Sequence, residues 1–390
     1  MASYKDLGVS SGKEEVHAAV RGLDKGLFPG AFCRVLPDVL TGSKKHGLII
    51  HADGAGTKSS LAYMVWKETG NLGVFAGIAQ DSMAMNIDDM LCVGATGPFL
   101  FSNTIGRNAK IFPGAAIEAV ITGYQTLTEQ LARHGIEIHV AGGETADVGD
   151  LVRTAIVDST FTARIPLKKV IDCSQVQPGH VIVGFASDGQ ASYEGAPNSG
   201  MGSNGLTAAR HNVLHSIYRD QYPETFAPEI KELSYSGRFK LDDRVPELSM
   251  TVGEAVLSPT RLYAPMMRQV LRKFRPAISA IFHNTGGGQA KCLGFGEGVC
   301  YEKTDPLPLP PFFRFLQEAT GYSLTDMART FNLGSRMEVV CDRDAAAGII
   351  AVSEAFNIQA KVIGEVTSTS QHRRALVLKH GAETVTLTSP

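Results

Sequence analysis

LIIHADGAGTKS, residues 48–59, joins a short apolar run to a segment rich in glycine, acid and base. Leu48, Ile49 and Ile50 predict a short buried strand. The loop expected after it holds Asp53, Gly54, Gly56, Thr57 and Lys58. Gly54 and Gly56 let backbone N–H groups come close to a ligand, and Lys58 adds a point charge suited to phosphate. Asp53 stands at the carboxyl end of the strand, where sites in α/β proteins gather, and its carboxylate suits a hard cation. A plain glycine-rich turn with a solvated lysine accounts for the same residues. The loop is not a P-loop, since no Gly-Lys-Ser/Thr follows a four-residue gap, and it does not complete G-x-G-x-x-G. A nucleotide site here is of another kind.

The 390-residue chain is 44% hydrophobic and 19% charged. That balance predicts a globular protein of about two domains. A net charge of −2 and the lack of any basic run argue against nucleic acid and a membrane surface as partners. The 41 glycines predict many tight turns and ligand-approaching loops. Cysteines 33, 92, 173, 292, 300 and 341 are scattered without a C-x-x-C pair. That spacing argues against a zinc site and a disulfide framework, and for a reducing compartment. The opening MASYKDLGVSSGKEE has no apolar core of a signal peptide, and no stretch approaches the length of a membrane span. A cytoplasmic protein is expected.

Strands and helices alternate along the chain. A helix is expected near Glu14–Leu23 and a longer one over Gly73–Val93, where Asp81, Asp88 and Asp89 share a narrow face opposite Phe75, Ile78, Met83, Ile87, Met90 and Leu91. That acidic face is either solvated or, having no interleaved Lys or Arg, turned to a cation. Pro98–Ile105 and Ile136–Ala141 read as strands, with a helix opened by Pro113 between them. The second strand leads into GGETADVGD, again glycine followed by acid. Thr154–Ala163 alternates like a strand, and Pro166-Leu-Lys-Lys is the linker candidate, so the domains are drawn as 1–165 and 166–390. In the second half, strands are expected at His180–Ala186, Ala277–Phe282, near 337–341 and near 361–366. Helices are expected from Leu206, at Pro265–Phe274 and at Phe312–Ala319, with a turn at Arg329–Gly334. Residues 219–253 read as a polar surface insertion, and PLPLPPFF (306–313) as a rigid connector.

Taken together, SYKDLGV (3–9), GAFCRVLP (30–37), HADGAGTK (51–58), Asp81 with Asp88-Asp89, GGETADV (142–148), SNG (203–205), LSPTRLY (257–263), HNTGGG (283–288) and RTFNLG (329–334) resemble the phosphoribosylformylglycinamidine cyclo-ligase (aminoimidazole ribonucleotide synthetase) family. The resemblance runs over nearly the whole chain, from residue 3 to residue 366. It implies an α/β (α+β) protein of two domains, whose N-terminal domains pair into a homodimer with a β-barrel across the interface. It also implies ATP and Mg²⁺, and ring closure of formylglycinamidine ribonucleotide with release of ADP and phosphate. Magnesium ligands implied by position are Asp53, Asp89 and Glu144, with Asp81 and Asp88 as alternates. Lys58 and the amides of Gly54, Gly56 and Thr57 would hold phosphates, and Gly142, Gly143 and Thr145 would line the nucleotide beside Glu144. His283, followed by Thr285, Gly286 and Gly287, would face substrate together with Asn204; a core histidine is the plain alternative. Asn332 is either substrate-facing or a turn closer.

The chain departs from the family pattern at several places. The run before SNG is longer, and Gly202 stands where a histidine is usual; Tyr193, Glu194 or Asn198 are the nearby replacements. Arg336 stands where glycine is usual, and Lys25 is the counterpart of a lysine near the nucleotide. Two other functions therefore stay open: another ATP-using enzyme of the same superfamily, or a non-catalytic nucleotide-binding paralogue. A selenophosphate synthetase would want a catalytic lysine motif beside Cys33, and a hydrogenase-maturation enzyme a C-terminal cysteine tail in place of LTSP.

Overall fold

The computed structural model describes residues 6–9, 18–20, 22–369 and 373–389. The helix expected near Glu14–Leu23 and the start of the SYKDLGV motif lie largely outside them. The chain forms a mixed α/β fold around two large sheets. The first has the order β1-β2-β5-β3-β4, with β1 Leu36–Pro37, β2 His46–Gly54, β3 Phe99–Arg107, β4 Ile138–Asp147 and β5 Ala155–Pro166. Strand β5 alternates buried and outward residues along its whole length, the pattern of a sheet with one face on the core. The second sheet has the order β14-β13-β10-β12-β6-β11-β9. Its strands are β6 Val181–Ala186, β9 Ile278–His283, β10 Val299–Lys303, β11 Ser335–Cys341, β12 Ala360–Ser368, β13 Ala375–His380 and β14 Glu383–Thr388. A hairpin of β7 Asp188–Gly189 and β8 Asn198–Ser199 crosses the longer loop before SNG. Strands β6, β9 and β11 are buried on both faces, which explains their continuous apolar runs.

The helix Val74–Cys92 sits at the seam. It packs on β2 and β5 and reaches β9 of the second sheet, and every residue from Ser82 to Cys92 is buried. No acidic face meets solvent: Asp81 and Asp88 are fully buried and Asp89 is 8% exposed. A helix apolar on one side ordinarily turns its charges to water. Here a second domain covers that side, so each carboxylate meets protein donors instead.

Four expectations change. β2 runs nine residues, through Asp53 and Gly54, and Ile50 is turned outward at 56% exposure. β4 likewise continues through Gly142, Gly143, Glu144 and Thr145, which form an exposed sheet edge and not a loop. Residues 219–253 are not all surface. Tyr235 is fully buried and accepts from Arg210 Nη1 at 2.9 Å, tying the segment to the helix Leu206–Val213. The turn expected at 329–334 begins as the end of a helix, Leu324–Thr330, which like Lys58–Thr69 and Arg343–Glu354 gives little amphipathic signal.

Candidate active site

At the seam, Asp89 of the helix Val74–Cys92 meets His283, the last residue of β9. His283 Nδ1 donates to Asp89 Oδ1 at 2.7 Å, and His51 Nε2 lies 3.3 Å from Asp89 Oδ2. Burial works against the Asp89 charge, but the hydrogen bonds from His283 and His51 outweigh it and hold the carboxyl below its ordinary range. Burial lowers His283 against the pull of Asp89. A neutral His283 bonded through Nδ1 leaves its Nε2 lone pair free, and that atom is buried without a partner. This is the Asp–His arrangement of a general base.

Arg336, fully buried, lies nearby on β11. Its Nη2 donates to the Met201 carbonyl at 2.6 Å, while Nε and Nη1 have no partner. Burial pushes the guanidinium down, and Tyr263, Asp81 and Asp88 counter it. Gly202 makes room for it: a Cβ there would stand 1.6 Å from Arg336 Nη2, and Gly202 has φ +79°. Two departures from the family pattern, a glycine at 202 and an arginine at 336, thus occupy one space. Tyr193, Glu194 and Asn198 are engaged elsewhere: Tyr193 donates to the Leu262 carbonyl, Glu194 pairs with Arg261, and Asn198 donates to the Pro259 carbonyl. Asn204 Oδ1 and Asn284 Oδ1 are also buried without partners, and the Asn204 amide lies beside Gly286, 4.0 Å from where a Cβ would be. Buried polar atoms are normally satisfied, so these orphaned ones are where a ligand would find donors and acceptors. Gly287 holds φ +94°, which brings the 286–288 turn back toward it.

Other expected residues fall differently. Lys58 opens a helix and is fully buried, its ammonium donating to Asp81 Oδ1 at 2.9 Å and to the Ser258 carbonyl. Asp81 also accepts from Thr260 N and Oγ1 at 2.7 and 2.6 Å. Lys58 is thus buried in its pair with Asp81, whose Oδ2 has no partner, and the pair joins the first half of the chain to the 258–260 segment. Asp88 accepts the Tyr263 N–H at 3.1 Å, and burial raises its carboxyl well above normal, so it too is a structural residue. Asn332 spends its amide on Ser187, Gly200 and Gly334 and closes a turn. Thr57, at the exposed end of the 54–57 loop, touches Thr207 Oγ1 at 3.1 Å, next to the SNG segment.

The register aligns Gly54, Asp158, Thr104 and Glu144 in one row across β2, β5, β3 and β4. Asp53 is one residue out of step, opposite Ser159, and so points to the other face from Asp158 and Glu144; it and Glu144 are both exposed. Asp158, absent from the sequence expectations, is raised by burial and by the charge of Asp53. Gly54 is required here, since a Cβ would stand 1.7 Å from Asp158 Oδ1. Lys25 is exposed. His51 and Cys33 also went unmarked, because their partners come from distant elements; a cation-binding donor set has no local spacing in that case.

Residues 33–165 match the AIR synthase related protein N-terminal domain model and residues 177–376 its C-terminal domain model. The chain is 27% identical over 377 residues to a phosphoribosylformylglycinamidine cyclo-ligase of Methanococcus maripaludis, covering 94% of this chain and 92% of that one. It is 29% identical over 380 residues to that of Carboxydothermus hydrogenoformans, covering 94% and 96%. Among solved structures, the HypE–HypF complex matches with a TM-score of 0.55 at 13% identity, over 97% of this chain and 100% of that one. T. maritima PurL complexed with FGAR gives a TM-score of 0.55 at 14% identity, over 96% of this chain but only 49% of that one, so the chain spans about half its length. These likenesses fix the fold. With both domain models matched over most of its length, the chain belongs to the AIR synthase related family.

Proposed function

We propose that the chain is a phosphoribosylformylglycinamidine cyclo-ligase, closing formylglycinamidine ribonucleotide to aminoimidazole ribonucleotide at the cost of ATP. The observation that carries this reading is the His283–Asp89 pair beside Arg336, with His283 Nε2 and two guanidinium N–H groups unpartnered. The formyl amide oxygen is phosphorylated by ATP, the amidine nitrogen attacks that carbon, and phosphate leaves. His283 Nε2 takes the proton of the attacking nitrogen, with Asp89 stabilising the imidazolium. The Arg336 N–H groups meet the charged oxygens of the phosphorylated amide. Asn204 and the 286–288 turn orient the substrate. Gly54, Gly56 and Thr57 offer backbone N–H groups to the ATP phosphates, and Gly142, Gly143 and Thr145 line the edge beside them.

Mg²⁺ fits the acids at the end of the first sheet. Burial and the Asp53 charge raise the Asp158 carboxyl, a cost that a hard cation relieves; Asp53 and Asp158 would hold it, while Glu144 lies two strands from Asp158, on β4. Bound there, Mg²⁺ would neutralise phosphate oxygens. The outer face of the first sheet supports a homodimer, because Ile50, Leu100 and Ile156 are 56%, 52% and 41% exposed there, apolar surface that a second copy would cover. In this reading residues 1–165 dimerise and bind ATP, and residues 166–390 complete the substrate site. Among the described residues no helix is long and apolar enough to cross a membrane.

The test is ADP release by the purified protein with ATP, Mg²⁺ and formylglycinamidine ribonucleotide, each omitted in turn. Turnover requiring all three supports the cyclo-ligase. ADP release indifferent to the ribonucleotide assigns another ATP-using chemistry, and binding of ATP without turnover assigns a non-catalytic paralogue.

A further inference from the structure

We propose that Cys33, His51 and Asp89 form a binding site for one divalent d-block cation, with Zn²⁺ the fitting ion. The three come from the loop before β1, from β2 and from the helix Val74–Cys92, and their ligand atoms all lie within 4.8 Å of one another. His51 Nε2 is 3.3 Å from Asp89 Oδ2, and Cys33 Sγ rests 3.1 Å from the Asp89 backbone oxygen. A thiol sulfur, an imidazole nitrogen and a carboxylate oxygen make the donor set of zinc or cobalt; magnesium and calcium take oxygen alone.

The surroundings orient each ligand. Asn86 Nδ2 donates to the carbonyls of Asp53, Ser82 and Ser159, which fixes the amide so that its Oδ1 faces His51 Nδ1 at 3.0 Å. His51 therefore carries a proton on Nδ1, and loss of the Nε2 proton, given to Asp89 in the metal-free protein, presents the Nε2 lone pair to an ion. His283 Nδ1 donates to Asp89 Oδ1 at 2.7 Å and leaves Oδ2 for the ion. Such outer hydrogen bonds are what set tautomer and direction in metal centres. Cys33 and Asp89 are buried while the His51 side chain is 20% exposed, so the remaining coordination position opens on the His51 side. On binding, the Cys33 S–H proton and the His51 Nε2 proton go to solvent, and sulfur ligates as thiolate, so affinity rises with pH.

Without a cation the same groups would hold one another as an imidazolium–carboxylate pair with a neighbouring thiol. The experiment separates the two. Metal-free full-length protein is titrated with Co²⁺ at neutral pH and then with competing Zn²⁺. One equivalent is expected, with a thiolate-to-cobalt charge-transfer band in the near ultraviolet. Cys33→Ser should abolish the band, and both Cys33→Ser and His51→Gln should weaken Zn²⁺ binding by about 10–100-fold or more. The other five cysteines are unaltered in Cys33→Ser and serve as the internal control. Circular dichroism of the metal-free variants checks that each is folded; should Cys33→Ser misfold, the band of His51→Gln decides, a shifted or lost band supporting the site. Cobalt bound without the band, no stoichiometric binding, or Zn²⁺ affinity unchanged in a folded variant overturns the proposal.

Discussion

Lys58→Met separates a structural lysine from a phosphate-binding one. Its ammonium lies 2.9 Å from Asp81 Oδ1, and both side chains are fully buried. Desolvation lowers the lysine, and the Asp81 charge holds it up in part. Removing one member of a buried pair leaves an uncompensated charge, which costs about 3–5 kcal/mol. Asp81 keeps two hydrogen bonds from Thr260, so the low end applies, about 3 kcal/mol, or roughly a hundred-fold in the folding equilibrium. The melting temperature should fall by on the order of 5–10 °C. Lys58→Met/Asp81→Leu, which removes both charges, should recover much of that loss. The assay is thermal and urea unfolding of the two variants, with the KM for ATP measured on the same preparations. Unfolding like the parent's combined with a large rise in the KM for ATP would refute the structural role and put the ammonium on a phosphate.

Other outcomes follow from the same geometry. His283→Gln should lower kcat by about 10²–10⁴-fold and remove the acid limb of the pH–rate profile with little change in the KM for ATP; a rate within twofold of the parent returns His283 to the core. Gly202→Ala should drive the Arg336 guanidinium from its place and cut turnover at least ten-fold, on the order of the 1.4 kcal/mol that tenfold represents. Parental kinetics in that variant would remove Arg336 from the substrate site. His211 is lowered to about 2 by burial and by the Arg210 charge. Its folded value lies below the unfolded one near 6.5, so its contribution is full above about pH 6.5 and is lost as pH falls toward 2, by up to about 1.4 kcal/mol per pH unit. Urea midpoints between pH 7 and 4 should fall less steeply in His211→Gln; an identical slope dismisses the assignment.

Much of the architecture was legible because periodicity is local. The alternation of β5, the apolar runs of β6 and β9 and the long helix near 74–92 all follow from neighbours in sequence. Their ends did not: β2 and β4 extend through their glycines because pairing with β5 and β3 carries the backbone on, a contact no local pattern records. Helices such as Lys58–Thr69 were missed for the same reason, since packing on both sides erases an amphipathic stripe.

The site divides along the same line. The chain order of HADGAGTK, Asp88-Asp89, GGETADV and HNTGGG was enough to name the residue types and the family they resemble. Which carboxylate faces what was decided by tertiary packing, in part by the second domain closing over the helix Val74–Cys92. That closure gave the Thr260 donors to Asp81, the Tyr263 amide to Asp88 and His283 to Asp89, while the first domain itself supplied Lys58 to Asp81 and His51 to Asp89. Folding within each domain set Arg336 against Gly202 and Cys33 against His51. Sequence fixes donors and charges; the partner each one meets is a property of contacts between residues far apart in the chain, and burial then turns that partner into a structural clamp, a base or a metal ligand.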